Sequence, residues 1–146
     1  MTPVKMVYLT RKIEFSASHF YHNPAMTQEE NARVFGKSNN PHGHGHNYVL
    51  EVTVAGEPDP VTGMVLDLKE LKDILQGQVM DRVDHKFLNQ EVPELKGKIP
   101  TTENLAAVIW DWLEPKITQG SLHRVRLYMD PDLFVDCYGQ GNGSGK

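Results

Sequence analysis

The sequence predicts a single α+β domain. Three observations carry that prediction. Two segments with strand periodicity come first, two helix-periodic segments follow, and a final pair of strand-like segments surrounds a turn. Strands that pair through hairpins, with the helices grouped between them, indicate α+β architecture and not alternating α/β units.

The first strand is expected over Tyr8–Phe15, where Leu9, Ile13 and Phe15 fall on alternate positions. The second is expected over Tyr48–Val54. There Tyr48, Leu50, Val52 and Val54 share one face, and Val49, Glu51 and Thr53 the other. Glu57-Pro58-Asp59-Pro60 reads as a turn, and Met64-Val65-Leu66 as a short strand after Gly63. Asp67 is placed to cap a helix, with Glu70 completing a capping box and Leu68, Leu71, Leu75 and Val79 forming its apolar face. A second helix is expected from Thr101 or Thr102, with Leu105, Ile109, Trp112 and Leu113 as its stripe and Pro115 ending or kinking it. Arg124–Met129 and Phe134–Tyr138 form the final hairpin around Asp130-Pro131-Asp132. A short sheet with both helices on one face leaves the other face uncovered and its outer edges open, which calls for oligomerisation.

The composition is that of one ordinary globular core: 146 residues, 39% hydrophobic and 23% charged. We expect a single domain over residues 1–138 and a disordered Gly-rich tail over 139–146. A net charge of −4 without a Lys/Arg cluster argues against a nucleic-acid partner. No apolar run approaches the roughly 18–20 residues that span a bilayer, so no membrane association is expected. The first residues, Met1–Met6, lack the apolar stretch of a secretory signal, and Cys137 is the only cysteine. A cytoplasmic location is the corresponding expectation. Seven histidines are present, four of them between His22 and His46.

His42-Gly43-His44-Gly45-His46 leads into the second strand. Residues two apart in an extended segment point the same way, so His44 and His46 can present two imidazoles to one ion. The glycines allow close backbone approach. Zinc suits neutral imidazole, and catalytic zinc sites commonly combine three protein ligands with one open position. The third ligand comes from elsewhere: His19 after the first strand is one candidate, His42 and His22 are others. Asp84-His85 has the composition of an oriented acid/base pair. Thr101-Thr102-Glu103 reads first as a helix start, and otherwise as hydroxyls and a carboxylate that would bind an amide or guanidine-like edge.

These pieces occur together in one family. Phe15–His19, Glu30–Lys37, Asn39-Asn40-Pro41, Gly43–Tyr48, Asp59–Met64, Asp84-His85-Lys86 and Thr101–Asn104 resemble 6-pyruvoyl-tetrahydropterin synthases of the longer, eukaryotic type, along a stretch from about Arg11 to Tyr138. The resemblance implies a T-fold, a four-stranded antiparallel sheet with two helices on one face. It implies assembly into an oligomeric barrel, commonly a homohexamer of two trimers, with active sites at subunit interfaces. It implies zinc on His19, His44 and His46, a proton-relay pair at Asp84 and His85, and a pterin-anchoring wall that includes Thr101, Thr102 and Glu103. The implied reaction is conversion of 7,8-dihydroneopterin triphosphate to 6-pyruvoyl-tetrahydropterin, with loss of triphosphate and an internal redox shift.

Two positions depart from the pattern. Ser38 stands where the family carries its catalytic cysteine, and a serine alkoxide is far less accessible than a thiolate. Met129 stands where the family carries a pterin-anchoring glutamate. The neighbouring Asp130 faces the opposite side of a regular strand unless the turn re-aims it. Side-chain cleavage to a 6-carboxy-tetrahydropterin, aldolase-like cleavage to a hydroxymethylpterin, and a non-catalytic zinc- or pterin-binding role are the competing functions.

Overall fold

The structure, a computed structural model, describes residues 3–141. Its frame is one sheet of order β3-β1-β2-β4-β5. β1 (Val7–His19) and β2 (His44–Gly56) pair antiparallel over their whole lengths. β4 (Ser121–Asp130) pairs with β2, and β5 (Leu133–Cys137) closes the hairpin on β4. The expected four antiparallel strands are present. A fifth, β3 (Lys86–Phe87), adds a two-residue parallel pairing to Ala17 and Ser18 of β1.

Period-two alternation sorts the sheet into two faces. Phe15, Ala17, Tyr48, Leu50, Val52, Val54, Val125 and Leu127 are buried on the face that the helices cover. The other face is polar. It carries Lys12, Glu14, Glu51, Arg124 and Arg126, with Arg126 paired to Asp136 at 2.7 Å.

Two helical elements pack on the inner face. α2 (Leu68–Leu75) continues through a π turn (Gln76–Met80) into α3 (Asp81–Val83), so that Leu71, Leu75, Val79 and Val83 form a fully buried row at steps of four. Leu68, expected on that row, is 49% exposed, because it lies in the first turn, beyond the sheet. Asp67 does cap α2, through the Lys69 N–H at 2.9 Å. α5 (Thr102–Leu113) buries Leu105, Ile109 and Leu113 against the same core and ends as expected before Pro115.

Two sequence expectations are corrected. Met64–Leu66 forms no strand. Asp59 accepts from the Val61 and Thr62 N–H groups and from Gly63, and its own N–H bonds to the Met64 carbonyl, so the segment folds back as a compact turn that leads directly into α2. Leu66 is buried there without a ladder. The second correction is α1 (Gln28–Phe35), a helix that the apolar pattern does not reveal. Asn31 is its one buried residue, and its start is a capping box between Thr27 and Glu30. The side-chain amide of Asn31 accepts from the Asn23 N–H and donates to the carbonyls of Asn23 and Thr27, closing the loop between β1 and α1. The short α4 (Leu88–Glu91) follows β3. Gly139 lies against the Trp110 ring, and residues 142–146 of the expected tail are outside the described residues.

Candidate metal centre and surrounding clefts

Strand register assembles the centre. His19 is paired directly with His44, and Ala17 with His46, at the end of the β1–β2 ladder. All three histidines share the face that carries Phe15 and Tyr48. Their ring centroids stand 4.8, 5.0 and 4.9 Å apart, a nearly equilateral triangle. One nitrogen from each lies within 4.8 Å of the others, so the group could hold a metal ion. Gly43 makes the approach possible. It adopts φ +74°, and a Cβ there would lie 3.3 Å from the His19 carbonyl oxygen and 3.3 Å from the Phe87 ring.

The nitrogens fit that use. His19 Nδ1 lies 3.0 Å from Tyr48 Oη. The Nε2 atoms of His19 and His46 are buried without a hydrogen-bond partner. Burial, reinforced by the neighbouring His46 and His44, lowers the His19 pKa to about 4. Burial and His44 also lower that of His46. Neutral imidazoles with free nitrogens are what a cation requires. His42 is exposed outside the triangle, and His22 stacks on Phe20 at 5.4 Å. The structure brings neither of these alternative ligands into the cluster.

Tyr21, not singled out by the sequence reading, joins two of the expected regions. Its ring lies 4.4 Å from His19, and its backbone N–H donates to the Ser38 carbonyl at 2.9 Å. Its phenol is pushed up to about 12 by burial and by the Glu103 carboxylate, with a Thr102 hydrogen bond acting in the opposite sense. Thr102 and Glu103 therefore adjoin the triad through Tyr21. Thr101 caps α5 by accepting from the Asn104 N–H. Ser38 sits half-buried in the 3-10 turn Gly36–Asn39, part of which lines a 500 Å³ cleft with His44.

Asp84 and His85 stand at the outer edge of β1. Asp84 Oδ1 accepts from the Ser16 N–H and from His85 Nδ1, both at 3.0 Å, and the Ser16 N–H is the main cause holding the carboxyl below its usual range. His85 adopts φ +62°, rare for a residue with a Cβ, and its own N–H bonds the Ser16 carbonyl at 2.6 Å. Its side chain is 81% exposed. Asn89 extends the same seam, bonding both the N–H and the carbonyl of Phe20, next to His19. His85 lines a 560 Å³ cleft with Ser16, Asn47 and His46. His85 and the Ser38 turn thus border different clefts, one lined by His46 and the other by His44.

The hairpin also departs from simple alternation. Tyr128 pairs with Phe134 and Asp130 with Leu133, which leaves Met129 as the extra residue of a bulge. Met129 and Asp130 consequently line one 650 Å³ cleft together with His46. The Asp130 carboxylate is close enough to oppose the lowering of the His46 pKa.

Fold and site together define a T-fold protein with a histidine triad able to hold a metal ion. Residues 8–140 match the family model described as 6-pyruvoyl tetrahydropterin synthase. The 6-pyruvoyl tetrahydrobiopterin synthase of Homo sapiens is 47% identical over 132 residues, covering 90% of this chain and 91% of its own length. The 6-carboxy-5,6,7,8-tetrahydropterin synthase of Rickettsia bellii is 31% identical, covering 90% of this chain and 99% of its own. The solved 6-pyruvoyl tetrahydropterin synthase of Caenorhabditis elegans superposes with a TM-score of 0.89 at 36% identity, over 96% of this chain and all of that one. The chain belongs to the 6-pyruvoyl tetrahydropterin synthase family.

The lowered His19 pKa has a consequence for stability. Between the ordinary value of 6.5 and about 4, the unfolded chain binds a proton that the folded chain refuses. Stability of the metal-stripped protein therefore falls as pH drops through that window, and His46 acts in the same direction. Denaturant midpoints of stripped protein should decrease from about pH 7 to about pH 5, with a shallower decrease in His19→Gln. Equal slopes in the two proteins would remove His19 as the source.

Proposed function

We propose that this chain is a zinc-dependent lyase that converts 7,8-dihydroneopterin triphosphate to 6-pyruvoyl-tetrahydropterin, and that it works in the cytoplasm as a homohexamer. The observation that carries the proposal is the partly buried three-histidine triangle, with the unpartnered Nε2 atoms of His19 and His46, set beside Thr102 and Glu103. The relatives named for this synthase are also more similar to the chain than the relative named for the 6-carboxy product.

His19, His44 and His46 are the ligands in this proposal, and three neutral imidazoles suit zinc. A zinc ion held there would polarise the substrate's side-chain hydroxyls and favour charge developing on their oxygens. The chain's own groups supply the rest. Glu103, with the Thr101 and Thr102 hydroxyls, binds the amino and amide edge of the pterin. The bulge at Met129 supports Asp130 as the replacement for the missing glutamate, since both residues line the cleft that reaches His46. Asp84 holds His85 through Nδ1–H, which leaves Nε2 free to take a proton. Ser38 passes its proton to His85 as it accepts one from the side-chain carbon. The product is the substrate less triphosphate, so the redox change is internal and needs no external oxidant.

The edges and the clefts support oligomerisation. β3 covers only Ala17 and Ser18 of β1, and β5 is the other end of the sheet. Tyr8 and Phe134 are exposed on these edge strands. Because His85 and the Ser38 turn face different clefts, His85 from one copy completes the centre of its neighbour.

The direct test is incubation of the zinc-loaded protein with dihydroneopterin triphosphate and identification of products by mass. The pyruvoyl product is expected at a slow rate, because general-base catalysis contributes about 10²–10⁴-fold and serine is a weak base. Ser38→Cys should raise turnover at least about ten-fold at unchanged zinc content, and His85→Ala should cancel the gain. A 6-carboxy or hydroxymethyl product, or no product from either protein, would reject the lyase reading.

Mixed oligomers test the shared site. Ser38→Ala and His85→Ala proteins, each inactive alone, should regain activity when unfolded and refolded together, because some interfaces then combine both intact residues. Failure to complement in verified hetero-oligomers would place Ser38 and His85 in the same subunit's site.

Asp130→Asn should weaken pterin binding by about ten-fold or more, the loss of a charged hydrogen bond worth roughly 1.5–3 kcal/mol. Unchanged affinity by calorimetry would show that another group anchors the pyrimidine edge.

A further inference from the structure

We infer that Tyr48 is a positioning residue of the metal centre, whose phenol oxygen fixes the tautomer and orientation of the His19 ring. The inference rests on the reading of His19, His44 and His46 as metal ligands and adds a residue that does not itself touch the metal. His19 is fully buried, and among the described residues its Nδ1 has one hydrogen-bond partner, Tyr48 Oη at 3.0 Å. Its Nε2 has none.

A neutral imidazole carries its single proton on one nitrogen or the other. With the proton on Nε2, a buried N–H would point toward two other imidazoles without an acceptor, and no lone pair would be offered to a cation. With the proton on Nδ1, the N–H donates to Tyr48 Oη, and the Nε2 lone pair faces His44 and His46. Only this second arrangement makes His19 a ligand. A partner on the far nitrogen of a ligating histidine is the usual means of fixing that choice.

Tyr48 is built to hold still. It is fully buried, and its ring stacks on Phe15 at 4.9 Å with the planes within 10°. It lies on β2 two residues beyond His46, so the alternation that aims His44 and His46 into the cluster also places Tyr48 directly beneath it. Its ring meets that of His46 edge-on at 5.9 Å. One fully buried side chain thus adjoins two of the three ligands.

Tyr48→Phe removes the oxygen and preserves the stacked ring. Its zinc affinity, measured by competition with a chromophoric chelator, should fall by about 10–100-fold, and the visible bands of the cobalt-substituted protein should shift. Val54→Ala, on the same buried face of β2 but away from the cluster, controls for loss of fold stability. It should lower the denaturation midpoint and leave zinc affinity and the cobalt spectrum unchanged. Nitrogen NMR of the wild-type rings should find the His19 proton on Nδ1 in metal-free protein, a measurement that does not depend on the variant folding. Wild-type affinity in Tyr48→Phe, or a proton on Nε2, would overturn the inference and leave the three ligands standing. A wild-type protein that binds no zinc, or loses none on His19→Ala, would overturn both.

Discussion

The register of one strand pair governs the site. His19 meets His44 only because β1 and β2 pair continuously from Val7 opposite Gly56 to the end of the ladder. Side chains alternate with a period of two, so a slip of one residue would send His44 and His46 to the polar face while His19 stayed inside. The same slip would turn Tyr48, Leu50, Val52 and Val54 away from the helices, and all four are fully buried. The hydrophobic core therefore enforces the register that the histidines need. Chemistry and stability use the same alternation on the same strand, and the last members of the buried row are imidazoles in place of aliphatic chains.

That economy leaves a local cost. Two imidazole nitrogens are buried without partners, and such groups typically cost about 1–3 kcal/mol each. Protonation does not relieve it, because burial opposes charge on His19 and His46 and a charge on one ring opposes charge on the others. A cation held there would satisfy the nitrogens directly, which would couple occupancy of the centre to folding. The flanking segment from Asp84 to Asn89 adds rigidity of a different kind. It bonds the backbone of Ser16, within β1, and of Phe20, just after it, and so braces the strand end that carries His19.

Much of this was legible in the sequence wherever a regular apolar period coincided with regular backbone. The Tyr48–Val54 alternation and the Leu71, Leu75 and Val79 row are such cases. Legibility failed where backbone hydrogen bonds, not side-chain burial, decided the outcome. Met64–Leu66 has strand-like composition but is diverted by the Asp59 turn. α1 has almost no buried face, so only its Thr27-x-x-Glu30 cap announced it. Both β1 and β2 run past their predicted ends because the histidines, serines and glycines there carry no strand signature, although the ladder holds them. Within the site, the pairing of His19 with His44 required tertiary structure, as did the bulge that turns Met129 and Asp130 into one cleft. Tyr48 was more accessible: it shares the alternation of His44 and His46, and a hydroxyl-bearing ring at that position is a readable sign of a supporting contact.

The remaining tension lies at Ser38. The residues that would move protons are spread over a turn beside His44 and an edge beside Ser16, and border different clefts. A thiol in that turn would give up its proton to His85 readily, because its pKa is within easy reach of neutrality. A serine would not, and depends far more on an oriented base. The proposed base is His85, held at positive φ by its own N–H on Ser16, with Asp84 anchored to the same residue. Positive φ at a residue with a Cβ persists only where surrounding bonds over-determine it. Here those bonds are the two that hang the Asp84–His85 pair on the edge of β1, projecting an exposed imidazole outward from the sheet. In the proposed mechanism an imidazole placed so would serve a neighbouring subunit. The open edge of the sheet and the serine at Ser38 are the two features on which that proposal of a second copy at the site rests.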